Sequence, residues 1–313
     1  MTAAPVAAVA PGCPACRRGL EPRLPQVRDP ISGEMFSIDC CPACGAGVTL
    51  PVPADVKDYY AERYYGHRHS FTTRFCAWRR RRMLARYIDA GDGGRLLDVG
   101  SGEGEFLDAA ARAGWTTAGI EIHPPEYGKI QPIFGTLEDA AARGPYRCVT
   151  LWHVMEHVPD PTGYAARIRS MLDSDGVLIV AVPDFGGVQA RLFGRHWLHL
   201  DVPRHLYHFT APGLRRLLQD AGFEIVGTSH QELEYDWFGW IQSAMNTVAG
   251  TPHVLFDALT GKPRRVSRLS VAASYAAGIL LSFPALALTI ATSLAGRGGT
   301  LIVAARPASG RRS

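Results

Sequence analysis

The chain has 313 residues, of which 47% are hydrophobic and 20% charged, the proportions of a globular protein rather than a disordered one. This length exceeds an average domain, and one large α/β domain with an appendage accounts for it. A net charge of +4, carried mainly by arginine, permits nucleic acid or anionic lipid as a partner without requiring either.

Met1 to Pro11 is rich in Ala, Val and Pro but has no basic stretch ahead of an apolar core. A disordered leader over 1–12 is expected there, not a signal peptide. Cys13-Pro14-Ala15-Cys16 and Cys41-Pro42-Ala43-Cys44 then place two thiolate pairs on two tight knuckles. Zinc takes four tetrahedral ligands, and four sulfurs close a structural site. Cys13, Cys16, Cys41 and Cys44 are therefore the candidate ligands of a structural Zn2+ in a ribbon module over 13–53, with a hairpin through Arg28 to Ile38 between the pairs. Redox dithiols are the competing reading, but they need a βαβ context that is absent here. Cys40 adjoins the second pair and leaves the ligand register open, while Cys76 and Cys148 read as buried thiols. This cysteine usage suits a reducing compartment, with the cytoplasm as the default.

Residues 54–91 form a basic, aromatic, helical linker. Its Arg79-Arg80-Arg81-Arg82 run adjoins Trp78, Met83, Leu84 and Tyr87 and reads as a solvated helix face or a grip for RNA phosphates. From Arg95 onward short β-rich runs alternate with helices, the pattern of a doubly wound parallel sheet. Strands are expected at Arg95–Val99, Thr116–Ile120, near Ile133-Phe134, at Cys148–Trp152, Gly176–Val182, Phe223–Ser229 and Thr300–Ala305. Helices are expected at about Glu105–Ala113, Leu137–Ala142, Pro161–Leu172 and from a Thr210 cap to Ala221.

The run Leu96-Leu97-Asp98-Val99-Gly100-Ser101-Gly102-Glu103-Gly104-Glu105-Phe106-Leu107 reads as a buried strand, a glycine turn and a helix start. Glycines let a ligand approach the backbone, because they take positive φ and carry no Cβ. A dinucleotide site would set a pyrophosphate at the helix N-terminus, and Asp98, Glu103 and Glu105 repel such an anion. They suit a cation such as the ammonium and sulfonium of S-adenosylmethionine. Glu121, at the end of the second strand and about 20 residues on, is placed to accept from the two hydroxyls of a ribose. In Gly135-Thr136-Leu137-Glu138-Asp139, Leu137 is placed to cover an adenine while Glu138 or a backbone group reaches N6. The competing reading there is a helix N-terminus with favourable acids.

Asp98-Val99-Gly100-Ser101-Gly102-Glu103-Gly104 resembles the first motif of class I S-adenosylmethionine-dependent methyltransferases, and Glu121 matches their acidic second motif. Leu151-Trp152-His153-Val154-Met155-Glu156-His157-Val158-Pro159-Asp160-Pro161 is similar to the strand-four segment of the branch containing ubiquinone-biosynthesis-type O-methyltransferases. The resemblance runs from about Arg95 to Phe223 and returns at Thr300 to Ala305. The N-terminal ribbon also resembles bacterial methyltransferases that carry such a module. Together these imply a Rossmann-like, seven-stranded doubly wound sheet with an antiparallel last strand, over 92–235 and 298–307. They also imply cofactor contacts from Gly100, Gly102, Glu121 and the backbone near Trp152 and His153. The full candidate cofactor set is Asp98, Gly100, Ser101, Gly102, Gly104, Phe106, Glu121, Ile122, Leu137, Glu138, Trp152 and His153.

A sulfonium methyl is already electrophilic, so the protein must align a nucleophile and remove a proton. Histidine is the natural base for a hydroxyl acceptor. His153 and His157, with Glu156 to orient them, lie where the fourth strand opens at the sheet's carboxyl edge; the competing reading makes Glu156 and His157 structural. A second cluster, His196, His199, Asp201, Arg204, His205 and His208, suggests a pocket wall, with His205 as its candidate base.

Residues 269–296 hold no charged side chain and carry Pro284 in the middle, within an apolar helical insertion over 236–297. A single membrane crossing would strand the last strand on the wrong side. The expected layouts are therefore a hairpin broken near Pro284, an interfacial pair of helices or a buried helical subdomain. Arg264, Arg265, Arg268 and Arg297 flank the run and favour an anionic surface. The expectation is thus a zinc-bearing cytoplasmic methyltransferase, with peripheral contact at the inner membrane face through 269–296. Its acceptor is a small molecule, a glycan or a lipid-linked compound, methylated on oxygen. The alternative is an RNA methyltransferase, disfavoured because an apolar insertion is hard to place on such an enzyme.

Overall fold

The run from Arg95 to Val99 buries four of its five side chains, as a central strand covered on both faces must. The computed structural model describes residues 12–60, 70–122, 132–262 and 266–309. The expected leader (all but Gly12), His123, Arg264 and Arg265 lie outside the described residues. In chain order, β1 (Glu21–Arg28), β2 (Met35–Cys40) and β3 (Gly47–Leu50) precede α1 (Ser70–Leu84). Alternation follows through β4 (Arg95–Val99), α2 (Glu105–Ala111), β5 (Thr116–Ile120), β6 (Ile133–Phe134), α3 (Leu137–Ala141), β7 (Tyr146–Trp152), α4 (Pro161–Met171) and β8 (Leu172–Pro183). Then come α5 (Val188–Phe193), β9 (Tyr207–His208), α6 (Ala211–Asp220), β10 (Phe223–Ser229), α7 (Leu233–Val248), α8 (Val254–Leu259), α9 (Arg268–Leu294) and β11 (Thr300–Pro307).

Seven strands form one sheet in the order β10-β11-β8-β7-β4-β5-β6, with the last strand antiparallel. The pairs β4–β5, β4–β7, β5–β6 and β7–β8 are all parallel. The chain moves outward from β4 through β5 and β6 and then returns to the other side as β7. The switch point, where α/β sheets open a crevice for ligands, therefore lies between the carboxyl ends of β4 and β7. Strands β4, β5 and β10 have the expected bounds. β7 and β8 begin earlier than expected, because Tyr146 pairs with Leu172 ahead of an irregular step to Cys148–Val177. Asp173-Ser174-Asp175-Gly176 hides that extension from a pattern of apolar residues.

The chain divides into two compact units. One comprises described residues within Met1–Arg68, Pro183–Leu214 and Ser229–Leu301, the other those within His69–Val182, Arg215–Thr228 and Ile302–Ser313. The core of the second unit includes Leu96, Leu107, Trp115, Val177, Ile179 and Ile302. The single domain expected over 92–235 is thus split, and residues 183–214 go with the cysteine-rich segment. The reason is β9, which pairs with β3 (Val48 with Tyr207, Gly47 with His208) and completes a sheet ordered β1-β2-β3-β9. Phe36 and Ile38 of the hairpin bury against a core that includes Trp197, Leu200 and Val202, apolar cover that a short ribbon cannot supply alone.

A buried ion network closes this unit. The Arg204 guanidinium, fully buried, donates to Asp29 at 2.8 Å, to Asp201 at 2.9 Å and to the Tyr59 carbonyl at 3.3 Å. Burial opposes ionisation of Asp29, but Arg204 and the Ser32 amide outweigh it and hold the carboxyl below its usual range. In the same unit the chain leaves through α7 and returns through α9, which packs on α7 and α8. The uncharged run is therefore one continuous helix with Pro284 inside it, not a hairpin or helix pair broken there. The lost hydrogen bond costs about 3 kcal/mol, and packing along the helix offsets it. Gly278 permits that packing, since a Cβ there would lie 2.7 Å from Leu255.

Removing one partner from a buried charge network leaves the others uncompensated. Arg204→Ala is expected to lower unfolding free energy by about 3–5 kcal/mol, read as a lower urea midpoint. A change under about 1 kcal/mol would show that the network carries no such weight.

Candidate functional site

Gly100, Gly102 and Gly104 take φ of 73°, 54° and 84°, a region where side chains are strained. The amides of Gly100 and Ser101 both donate to the Ile120 carbonyl, at 2.8 and 3.0 Å, so the loop folds over the end of β5. A methyl at Gly100 would sit 2.6 Å from Val154, whereas one at Gly102 would meet nothing within 4 Å. Gly100 thus allows the segment after β7 to close in, and Gly102 presents open backbone. The Gly102 amide donates to Glu121 at 2.9 Å, so one oxygen of the expected ribose acceptor already holds the loop.

Two buried polar atoms here, Ser101 Oγ and Trp152 Nε1, have no hydrogen-bond partner among the described residues. Leaving such atoms unsatisfied costs about 1–3 kcal/mol each, so the pocket chemistry fits a polar ligand. Phe106 is buried edge-on against Trp152, ring centroids 5.7 Å apart.

Asp98 is 3% exposed and accepts from the Thr150 hydroxyl at 2.6 Å. Burial pushes its carboxyl up to about 7, with Thr150 and Arg80 pulling it down and Glu121 pushing it further up. This corrects the expected set of three full negative charges: Asp98 lies beneath the loop, poised between charged and neutral. The Arg79–Arg82 run is corrected too. Arg80 stacks over the Trp152 ring at 4.6 Å and is not a plain solvated charge, whereas Arg82 lies over the exposed Trp78 at 5.1 Å and keeps to the solvated face. Arg80 and Thr150 are the residues that sequence reasoning missed. The signal for Arg80 was its one-turn spacing from the apolar Ala77, Met83 and Leu84, which puts it on their buried face of the helix, and for Thr150 its strand alignment with Asp98.

At the end of β7, His153 adopts a left-handed φ of 57°, rare for a residue with a side chain. Its amide donates to the Ala181 carbonyl at 2.9 Å, and its Nδ1 lies 3.6 Å from the buried Glu156 carboxylate. His157 is half-buried in the same short turn. His205 belongs to the other unit, where its Nδ1 donates to the His199 carbonyl at 3.0 Å and its Nε2 lies 4.0 Å from Asp201. In that unit His199 contacts the Tyr235 carbonyl and His208 the Thr49 hydroxyl. Two histidines of the dense cluster, His199 and His205, thus hold backbone carbonyls, and His208 holds a hydroxyl.

Beyond β6, Thr136 caps α3 by accepting from the Asp139 amide at 3.1 Å. Leu137 is buried, Glu138 is drawn to Arg167 at 2.6 Å, and Ile122 is 71% exposed at the end of β5. Glu138 thus sits in the first turn of α3, exposed and paired with Arg167, an arrangement that suits a helix N-terminus with favourable acids.

The four sulfurs of Cys13, Cys16, Cys41 and Cys44 lie within 4.8 Å of one another, with Cys13–Cys44 and Cys16–Cys41 at 3.4 Å. The hydrogen bond from Cys44 lowers the Cys13 thiol to about 5. Burial pushes Cys40 up to about 11, and it stands outside the cluster, which resolves the open register. Four soft donors so placed fit one tetrahedral ion of the zinc type.

A family model described as a methyltransferase domain matches residues 65–228, just over half of the chain. A ubiquinone biosynthesis O-methyltransferase of Xanthomonas oryzae pv. oryzae is 28% identical over 133 residues, covering 37% of this chain and 55% of that protein. The Vibrio parahaemolyticus protein of the same name is 38% identical over 97 residues, 27% of this chain and 41% of its own. The chain spans about half the length of the curated relatives it matches. The crystal structure of a SAM-dependent methyltransferase from Archaeoglobus fulgidus is similar at 16% identity and TM-score 0.46, covering 80% of this chain and all of that one. With the family match on the residues that build the glycine loop and the sheet around it, the chain belongs to the methyltransferase-domain family of class I, S-adenosylmethionine-dependent enzymes.

Proposed function

We propose that this protein methylates a small-molecule acceptor on oxygen, with glycan and lipid-linked compounds inside that class, using S-adenosylmethionine in the cytoplasm. The observation that carries the reading is the glycine loop folded over β5, with open backbone at Gly102 and Glu121 beside it. The loop backbone, Ser101 and Glu121 would hold the cofactor's polar groups. Ile122 and Leu137 would cover its adenine, and the Trp152–His153 backbone would border its methyl end. Bound there, S-adenosylmethionine supplies an electrophilic sulfonium methyl. The protein's part is to align the acceptor oxygen and take its proton. His153 is the first candidate base, held at the switch point with Glu156 to orient its ring; His157 and His205 complete the candidate set. Oxygen as the target is supported by the names of the similar enzymes. The four-cysteine cluster is assigned a structural Zn2+ with no open position for chemistry.

Labelled S-adenosylmethionine incubated with fractionated host extract tests the reading. Label is expected in a small-molecule, glycan or lipid pool, and label confined to RNA would overturn it. His153→Ala is expected to cut turnover by about 10²–10⁴ while leaving cofactor binding in place.

The Asp98 carboxyl gives a pH signature. Its folded value of about 7 lies above the usual 3.8, so the folded state binds the extra proton between those values. Its penalty is absent below pH 4 and complete above pH 7, at about 4 kcal/mol from 1.36 per unit. Asp98→Asn should therefore match wild-type stability near pH 4 and exceed it at pH 8, by denaturant titration. Equal stability at both values would remove this account of Asp98.

For the cluster, purified protein should carry one zinc per chain by elemental analysis. Cobalt exchange should give thiolate charge-transfer absorption, and Cys16→Ser should lose both along with thermal stability.

A further inference from the structure

Helix α9 has its side chains arranged opposite to those of a helix facing water. Its buried residues are small or hydroxylated: Ser274, Gly278, Ala285, Thr289 and Thr292. Its exposed residues include Leu269, Ile279, Leu280, Phe283, Ile290 and Leu294, between 49% and 82% exposed. At about 100° per residue these six fall within an arc of about 100°, opposite the buried seam, and run for about 38 Å. A helix on a soluble protein turns its large apolar residues inward. Packing through small residues with large ones facing out is how helices associate in lipid.

The hydroxyl groups follow the same logic. Ser274, Ser282, Thr289 and Thr292 donate to carbonyls of their own helix at 2.7 to 2.8 Å, so they need no water. No charged residue lies within 269–296, while Arg268 precedes the run and Arg297 follows it, both exposed. Cations thus stand at both ends of an uncharged stripe, the arrangement that lipid phosphates above acyl chains complement. A full crossing is excluded because α9 packs along α7 and α8. These would have to enter the bilayer with it, carrying Glu234, Asp236 and Asp257.

We propose that α9 lies flat in the surface of an anionic membrane, with the Leu269–Leu294 stripe among the acyl chains and Arg268 and Arg297 at the phosphates. This placement stands on α9 alone and is independent of the methyl-transfer reading.

Co-sedimentation of the full chain with vesicles tests it. Wild type should bind vesicles of phosphatidylglycerol and phosphatidylcholine, and bind roughly tenfold less to phosphatidylcholine alone. Phe283→Glu, on an exposed position, should weaken binding to the mixed vesicles at least roughly tenfold. Phe283→Trp should show a blue-shifted emission only when those vesicles are added. Calorimetry with S-adenosylmethionine should give the same affinity for Phe283→Glu as for wild type, which establishes that the variant is folded and separates the two readings. Absence of wild-type binding to the mixed vesicles would overturn the proposal. So would a wild-type dimer that Phe283→Glu converts to monomer with vesicle binding unchanged, since the stripe would then join two copies of the chain.

Discussion

One carbonyl organises the site. Ile120 is the last residue of β5 and lies opposite Val99 in the parallel register, and its oxygen accepts from two successive amides, those of Gly100 and Ser101. That double contact pulls the chain leaving β4 sideways across the neighbouring strand. Only residues without Cβ follow the resulting path, hence three positive φ values at Gly100, Gly102 and Gly104. The turn then presents the Gly102 amide to Glu121 and turns the Ser101 hydroxyl inward. Glu121 therefore has a structural part of its own: the carboxylate proposed to meet a ribose also fixes the glycine loop through the Gly102 amide.

The two units hold buried carboxylates by opposite means. Asp29 has a fully buried guanidinium against it and amides from Ile31 and Ser32, and its ionised form is favoured despite burial. Asp98 has one hydroxyl and the more distant field of Arg80, so burial dominates and the carboxyl is pushed up to about 7. A network that only stabilises has reason to be balanced. A carboxylate left under-compensated next to an open glycine loop is instead ready to respond to a cation, and strongly shifted groups gather at sites of chemistry for that reason.

What could be read from the sequence was local. The bounds of β4, β5 and β10, the glycine turn and the two cysteine knuckles each follow from a pattern within a dozen residues. What could not be read depends on distance along the chain. Arg204 and Asp29 stand 175 positions apart. β9 has two residues and no periodicity, yet its pairing with β3 moves residues 183–214 out of the expected domain. Arg80 looked like one of four equivalent arginines, and only the path of α1 places it on Trp152. The charges were visible in sequence; the direction each one faced was not.

The uncharged run near the C-terminus shows the same limit from the apolar side. Composition alone leaves a lid, a core helix and a membrane helix equal, because all three are apolar and Pro284 argues for a break in each. They differ in which face carries the bulk. A core helix would bury Phe283 and Leu280 and expose Ser274 and Thr289, whereas here Phe283 is 82% exposed and Thr289 is fully buried. The break at Pro284 is avoided because Ala285, Thr289 and Thr292 continue the buried seam begun by Ser274 and Gly278. A kink would swing those residues away from α7 and α8 and lose packing on both sides of the proline. Continuity of the seam, rather than hydropathy of the stretch, is what keeps the helix whole.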